Sequence, residues 1–369
     1  MYQQNDTIFN VKAEINLKHI GRNLTYLKSC LSSPVKVMAV VKADAYGLGA
    51  DRVSRYLEDS DSAFQFGVAT IQEAVELRKA GITKPIAVFA APTELSIPLY
   101  YRHNIQPVIS GKDQFSLFDH PIDVHIQFNT GMHRFGIAPE NLSDIDELLQ
   151  THPHIRPVGV CSHFATSADP GNSFVNHQFD LFTSLCKNAS FVDENITRHI
   201  ANTGGTLYYP HTACDMIRPG IGLYGGYPGD HETGKLRQPL TLKSTVIHTH
   251  PIKKGEAASY DLTWIAPTDG TIAIIPAGYA DGISRKMSNG MKIKIGERFY
   301  DQVGRVTMDY ILTFIPQNST TPKVGTEVIL LNEDEEINLS RWSKQSETIS
   351  YEVLTRLNTK RILKSYVEE

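Results

Sequence analysis

Between residues 11 and 234 the sequence alternates short apolar runs with longer stretches whose apolar residues recur every three or four positions. The runs cover 37–42, 65–69, 86–90, 107–110, 124–128, 158–163, 198–202 and 215–218. Each is short and rich in Val, Ile, Phe and Ala, the pattern of a strand buried on both faces. The stretches between them, such as 70–80 and 174–187, carry helical spacing. Eight such repeats suit a closed (β/α)8 barrel. An open doubly wound sheet fits less well, because no Gly-rich dinucleotide fingerprint follows the first strand.

The pattern changes after Gly234. Strands of alternating polarity at 240–250, 270–275, 291–295, 311–315 and 327–331 are separated by Gly, Pro, Asn and Asp, with short helices expected near 339–344 and 350–357. The reading is therefore an α/β chain: a (β/α)8 barrel over 11–234, followed by a mostly β C-terminal domain over 235–369, with residues 1–10 joined to the latter. The 369 residues are enough for two such cores.

Composition narrows the function. A net charge of −4 offers no basic field for nucleic acid, so a small-molecule ligand is expected. No run of 18 apolar residues spans a membrane. Cys30, Cys161, Cys186 and Cys214 are scattered and form no CxxC pair, which argues against a disulfide framework or a zinc site and for a cytoplasmic setting. Residues 1–10 lack the basic start and apolar stretch of a secretory leader.

Barrels of this kind place their chemistry at the C-terminal rim of the strands. Lys42 ends the first run, His163 the sixth and Arg218 the eighth, and Thr203 follows the seventh. Lys42 is the sharpest of these. An amine held among apolar neighbours loses hydration of its charged form and becomes a candidate for Schiff-base chemistry.

The segment Ala39-Val40-Val41-Lys42-Ala43-Asp44-Ala45-Tyr46-Gly47 resembles the cofactor-lysine motif of the alanine racemases. The resemblance continues through Thr130–Gly136, Ser162–Ala165, Ala201–Thr203 and Arg218–Ile221 in the barrel. In the C-terminal domain it includes Ser259-Tyr260, Pro276–Gly282, Gly304–Asp309 and Tyr351-Glu352. It implies an enzyme that uses pyridoxal 5'-phosphate to interconvert L- and D-alanine, with Lys42 holding the cofactor as an aldimine. Tyr46 and Tyr351, the Thr203 hydroxyl and the N–H groups of Gly220 and Ile221 would bind the phosphate. Arg218 would face the pyridine nitrogen and His163 would stack on the ring. Arg134 would meet the phenolic oxygen and the substrate carboxylate, which Met308 would also bind through its N–H. Two acid–base groups on opposite faces are needed to invert a stereocentre. The resemblance names them as Lys42 and Tyr260, with Tyr260 coming from the second subunit of a homodimer and Arg218 and His163 supplying positive charge near it.

The resemblance departs at the Arg134 loop. Many relatives have a carbamylated Lys where this chain has Gln127, and an Asp where it has Asn129. The expectation here is that an anion such as chloride, or a Gln127 hydrogen bond, orients Arg134. His133, Thr307 and Trp264 also differ from the common residues and bear on substrate breadth. Two rivals fit less well. A decarboxylase of similar architecture places an acid at the ring nitrogen, where this chain has Arg218. A non-catalytic carrier of the cofactor lacks a β domain.

Overall fold

The computed structural model describes residues 9–368. The expectations that residues 1–8 join the β domain and carry no secretory leader lie outside them. The chain divides into two compact units. One contains residues 20–45 and 49–236; the other contains residues up to 19, 46–48 and 237 onward. Strand β1 (Val11–Asn16) belongs to the second.

The first unit is the expected barrel. Its parallel strands are β2 (Lys36–Val40), β3 (Gln65–Val68), β4 (Ile86–Val88), β5 (Gln106–Ile109), β6 (Ile122–Gln127), β7 (Ile155–Cys161), β8 (Thr197–His199) and β9 (Met216–Ile217). They pair in order from β2 to β8, with β9 beside β2. Backbone bonds from Asp215 to Arg198 (3.0 Å) and from Arg218 to Ala201 (2.8 Å) join β8 to β9 and complete the ring. Each of the eight runs read from the sequence overlaps one of these strands. Met38, Ala87, Val108, Cys161 and Met216 pack in the interior. Gly159 is there for space: a Cβ on it would lie 2.2 Å from Nδ1 of the buried His125 ring.

The second unit is built on a nine-stranded sheet in the order β11 (His248–Ile252), β14 (Gly270–Ile275), β17 (Ile311–Pro316), β16 (Arg298–Val303), β15 (Lys292–Ile295), β18 (Glu327–Leu331), β10 (Leu240–Thr245), β1 and β19 (Ile362–Val367). A small ribbon of β12 (Ala257–Ala258) and β13 (Trp264–Ile265) accompanies it.

Here the structure corrects the expected boundary at residue 11. β1 pairs antiparallel with β10 and parallel with β19, so the barrel unit starts only at residue 20. The reason lies in its period: Val11, Ala13 and Ile15 are buried and alternate with more exposed residues, which suits a sheet with one covered face. The expected run 240–250 is likewise two strands, separated at Val246-Ile247. Among the described residues no helix is long and apolar enough to cross a membrane. The four cysteines are unbridged.

Candidate active site

At the end of β2 the backbone does something most sequences avoid. Ala43, Asp44, Ala45 and Tyr46 take φ values of 51°, 55°, 52° and 57°, a complete left-handed turn made without glycine. Each such residue costs roughly 1–2 kcal/mol relative to the right-handed form, so the turn needs external support. Glu73 Oε1 accepts the Ala43 N–H at 2.6 Å, and Asp44 Oδ1 accepts the Ala50 N–H at 2.8 Å. The turn opens immediately after Lys42, whose half-buried amine has its proton affinity lowered chiefly by burial and then by the Arg134 charge, with Glu73 opposing. A lysine so placed holds a neutral, nucleophilic amine more readily than a solvated one.

Arg218, 5% exposed, anchors the centre of the rim. Nη1 donates to His199 Nδ1 (2.8 Å) and His199 O (2.7 Å); Nη2 donates to Ser162 O (2.7 Å), His163 Nδ1 (3.1 Å) and Ile200 O (3.3 Å). None of these partners is a carboxylate. Because arginine can only donate, it fixes both imidazole tautomers. His199 must carry its hydrogen on Nε2, which meets His125 Nδ1 at 2.9 Å; His125 Nε2 in turn faces Gln106 Oε1 at 3.2 Å. Burial and then the Arg218 charge push His125 down to about 3 and His199 well below the usual range. His163 is pushed down to about 3 by burial, Arg218, Arg134 and Lys42. This corrects one expectation: His163 is neutral at physiological pH, and the positive charge resides on Arg218.

Around the N-terminus of the short helix Thr203–Tyr208 the structure builds an acceptor site. The buried Thr203 Oγ1 accepts the N–H groups of Gly220 (3.1 Å) and Gly222 (3.3 Å), so its own hydrogen remains to be donated. Gly220 therefore does not offer the free N–H expected of it. The Ile221 N–H has no acceptor among the described residues. Gly204 permits close approach, but by protein: a Cβ there would lie 2.3 Å from Ser167 O. An amine with reduced proton affinity, a hydroxyl with its hydrogen still to donate and a buried N–H without an acceptor among the described residues fit a phosphate-bearing carbonyl cofactor.

Arg134 is exposed on the loop after β6 and makes no hydrogen bond among the described residues. Gln127 is buried, yet no bond joins it to Arg134. Asn129 is consumed by its own loop, accepting from Gly131 N (3.1 Å) and His133 N (3.2 Å) and facing His133 Nδ1 at 3.1 Å.

The remaining candidates lie in the second unit. Tyr46 and Tyr351 pack with ring centroids 5.9 Å apart, and burial followed by the neighbouring phenol holds Tyr46 firmly protonated, as a donor. Gly47 (φ +90°) is needed beside them, since a Cβ would meet Leu354 O at 2.7 Å. Tyr260 is 70% exposed and Met308 53%. The Met308 loop is held by Tyr279 N to Thr307 O (2.9 Å), Ala280 N to Met308 O (3.0 Å) and the Arg361 bridge to Asp281 and Asp309 (2.8 Å each). The Met308 N–H has no acceptor among the described residues.

Sequence reasoning did not single out Glu73, His199 or His125. Glu73 left a readable signal, a Thr70-x-x-Glu73 capping box. His199 and His125 sit inside apolar runs and look like ordinary core positions.

Comparison with known proteins agrees with this geometry. Residues 15–228 match the family described as alanine racemase, N-terminal domain, and residues 239–366 its C-terminal counterpart. The chain is 34% identical to an alanine racemase of Corynebacterium efficiens, over 96% of this chain and 98% of that one. Among solved structures, alanine racemase of Clostridium difficile 630 superposes with a TM-score of 0.88 at 30% identity, covering 98% of this chain and 97% of that one. Alanine racemase of Bartonella henselae with covalently bound pyridoxal phosphate gives 0.86 at 25%, covering 97% and 99%. With both of its domains matched in order and nearly its full length covered, this chain belongs to the alanine racemase family.

Proposed function

We propose that the protein interconverts L- and D-alanine with pyridoxal phosphate held on Lys42. The observation that carries this reading is the Lys42 amine itself, half-buried at a strand end with its proton affinity lowered by burial. When bound, the cofactor withdraws electrons from the substrate Cα and so acidifies its C–H bond. Thr203, the Ile221 N–H, Tyr46 and Tyr351 would hold the phosphate, with Gly220 acting through Thr203.

The protein supplies the proton handling. Lys42 takes the Cα proton on one face or returns it there, and Tyr260 of the partner subunit does the same on the other. Arg218 is the residue expected opposite the ring nitrogen. A permanent cation there would disfavour protonation of that nitrogen and so limit how far the bound cofactor could draw charge away from Cα. His163, neutral and hydrogen-bonded to Arg218, would cover the ring without adding charge. Arg134 and the Met308 N–H of the partner subunit would receive the substrate carboxylate.

A head-to-tail homodimer with two shared sites follows from assigning Tyr260 to the other chain. Leu262 and Ile265 are 65% and 61% exposed beside it. An open groove of about 640 Å³ runs past Tyr260, Ile247, Thr307 and Tyr310. Apolar residues gathered around a reactive phenol are the kind of surface that association covers. A cytoplasmic location and a role in supplying D-alanine accompany this reading.

The test is direct. Protein purified with pyridoxal phosphate should absorb near 420 nm (roughly where an imine of this cofactor absorbs). Borohydride should fix the label on Lys42, and L-alanine should lose its optical rotation. A colourless protein, or a label elsewhere, overturns the proposal.

A further inference from the structure

The left-handed turn that begins at Ala43 is not self-supporting. Ala45 N reaches back to Val41 O (2.8 Å) and Gly49 N to Asp44 O (2.9 Å), but the first N–H of the turn, on Ala43, has an acceptor only outside the segment. That acceptor is Glu73, 30 residues further along the chain, at the start of the helix Ile71–Lys79 after β3. Its other oxygen is equally engaged: Oε2 accepts the N–H of Ala69 (2.8 Å) and of Thr70 (2.9 Å). Thr70 Oγ1 answers by accepting the Glu73 N–H at 3.3 Å.

An ordinary capping box ties a glutamate to its own helix and nothing more. Here one carboxylate closes the N-terminus of a helix and pins the residue next to Lys42 on the neighbouring β2 segment. An ionised acceptor shared among three N–H groups makes stronger bonds than a neutral one would. Its negative charge also lies close enough to Lys42 to oppose the effects of burial and Arg134 on the amine.

We infer that Glu73 is a positioning residue of the reaction: by clamping Ala43 it fixes where the Lys42 amine is presented at the barrel rim. This rests on the reading of Lys42 as the cofactor lysine. Glu73 touches neither substrate nor cofactor in this account; it acts through the backbone it holds and the charge it carries. Two effects therefore separate. Loss of the acceptor frees the turn and misplaces the amine at every pH. Loss of the charge alone leaves the amine in place but makes it easier to deprotonate.

The experiment uses the full-length chain stripped of cofactor and follows its capture of pyridoxal phosphate by the rise near 420 nm across pH, alongside alanine turnover on reloaded enzyme. Glu73→Ala should slow capture on the pH-independent plateau and lower kcat by about tenfold or more, with KM for alanine nearly unchanged. Glu73→Gln can keep its one oxygen on Ala43, at the expense of the bonds from Ala69 and Thr70 in the helix cap. It should retain most of the plateau rate while its capture midpoint moves to lower pH, by up to about one unit. Thr70→Ala removes only the reciprocal half of the cap and should lower the melting temperature while leaving capture rate and midpoint unchanged. If Glu73→Ala does not fold, Glu73→Asp decides: it keeps the charge but falls short of Ala43, and should slow the plateau without moving the midpoint. The inference is overturned if the Glu73 variants capture cofactor at the wild-type rate and midpoint, or if Thr70→Ala reproduces their effects, since Glu73 would then be a helix cap only. Failure of the unaltered protein to capture cofactor would instead overturn the reading of Lys42.

Discussion

The rim of the barrel and the Tyr260 face of the β domain treat their polar groups in opposite ways. At the rim, Arg218 is 5% exposed, and both Nη nitrogens are met by carbonyls and imidazoles of its own domain. On the other face Tyr260 is 70% exposed, and the Met308 N–H lacks an acceptor among the described residues. Folding alone fixes the guanidinium in the first region. In the second, a phenol and a backbone donor have no partner among the described residues of their own domain, the condition expected of groups employed only after association.

Lys42 gives the largest way to break this comparison. Lys42→Ala should abolish the absorbance near 420 nm and cut racemisation by at least about a thousandfold, because both the covalent anchor and one acid–base group are lost. The stripped protein should melt within a few degrees of wild type, since a half-buried strand-end lysine is not part of the core (roughly the range for such surface changes). Residual turnover with the colour intact would mean that another amine serves.

The Tyr260 face is tested next. Tyr260→Phe should keep the cofactor colour but lose about a hundred- to a thousandfold in turnover. In heavy water, Cα exchange should persist for one enantiomer and vanish for the other. Mixing Tyr260→Phe with Lys42→Ala chains sharpens the point. If sites are shared between subunits, half of the randomly mixed dimers are hybrids, each with one intact site, so about a quarter of all sites should regain activity. No recovery on mixing would show that each chain uses its own tyrosine.

What the sequence made legible follows the same division. The barrel could be read because eight doubly buried strands leave continuous apolar runs, and the rim could be read because Lys42 and Arg218 are charges at the ends of such runs. β1 was misassigned, since Val11, Ala13 and Ile15 alternate as well in one sheet as in another and its partners β10 and β19 lie more than 200 residues away. His125 and His199 escaped notice because their function depends on a tautomer set by Arg218, which no local spacing encodes. The neutrality of His163 was hidden for a related reason: its cause is burial and three cations, Arg218, Arg134 and Lys42, brought together by the fold.

That neutrality has a consequence for stability. His125 and His199 are buried at 1% and 0% exposure and uncharged in the folded protein, with His125 pushed down to about 3. In the unfolded chain each titrates near its ordinary value of about 6.5. Between these values the unfolded state binds more protons, so stability should fall as pH drops below about 6.5, by up to about 1.4 kcal/mol per pH unit for each ring. Urea unfolding of the stripped protein at successive pH values measures the slope. His125→Asn should reduce it by close to one proton. An unchanged slope would mean that the ring is not held neutral, and the rim would then be less complete than its hydrogen bonds suggest.

The smallest effect is expected where the rim comes closest to resembling the other face. Gln127 is 9% exposed at the end of β6, and its amide has no hydrogen-bond partner among the described residues; Arg134 nearby is likewise unbonded. An amide without a protein partner at this rim is free to donate to a bound anion, or to meet Arg134 when substrate brings that side chain close. Gln127→Ala should therefore raise KM for alanine a few-fold, about 1 kcal/mol, while leaving kcat and the cofactor spectrum alone. Replacing chloride by acetate in the buffer should raise KM in the wild type and not in the variant if the amide helps to hold an anion. Equal KM values for both proteins in both buffers would reduce Gln127 to a residue that fills the end of a strand, and would leave Arg134 to be oriented by the substrate carboxylate itself.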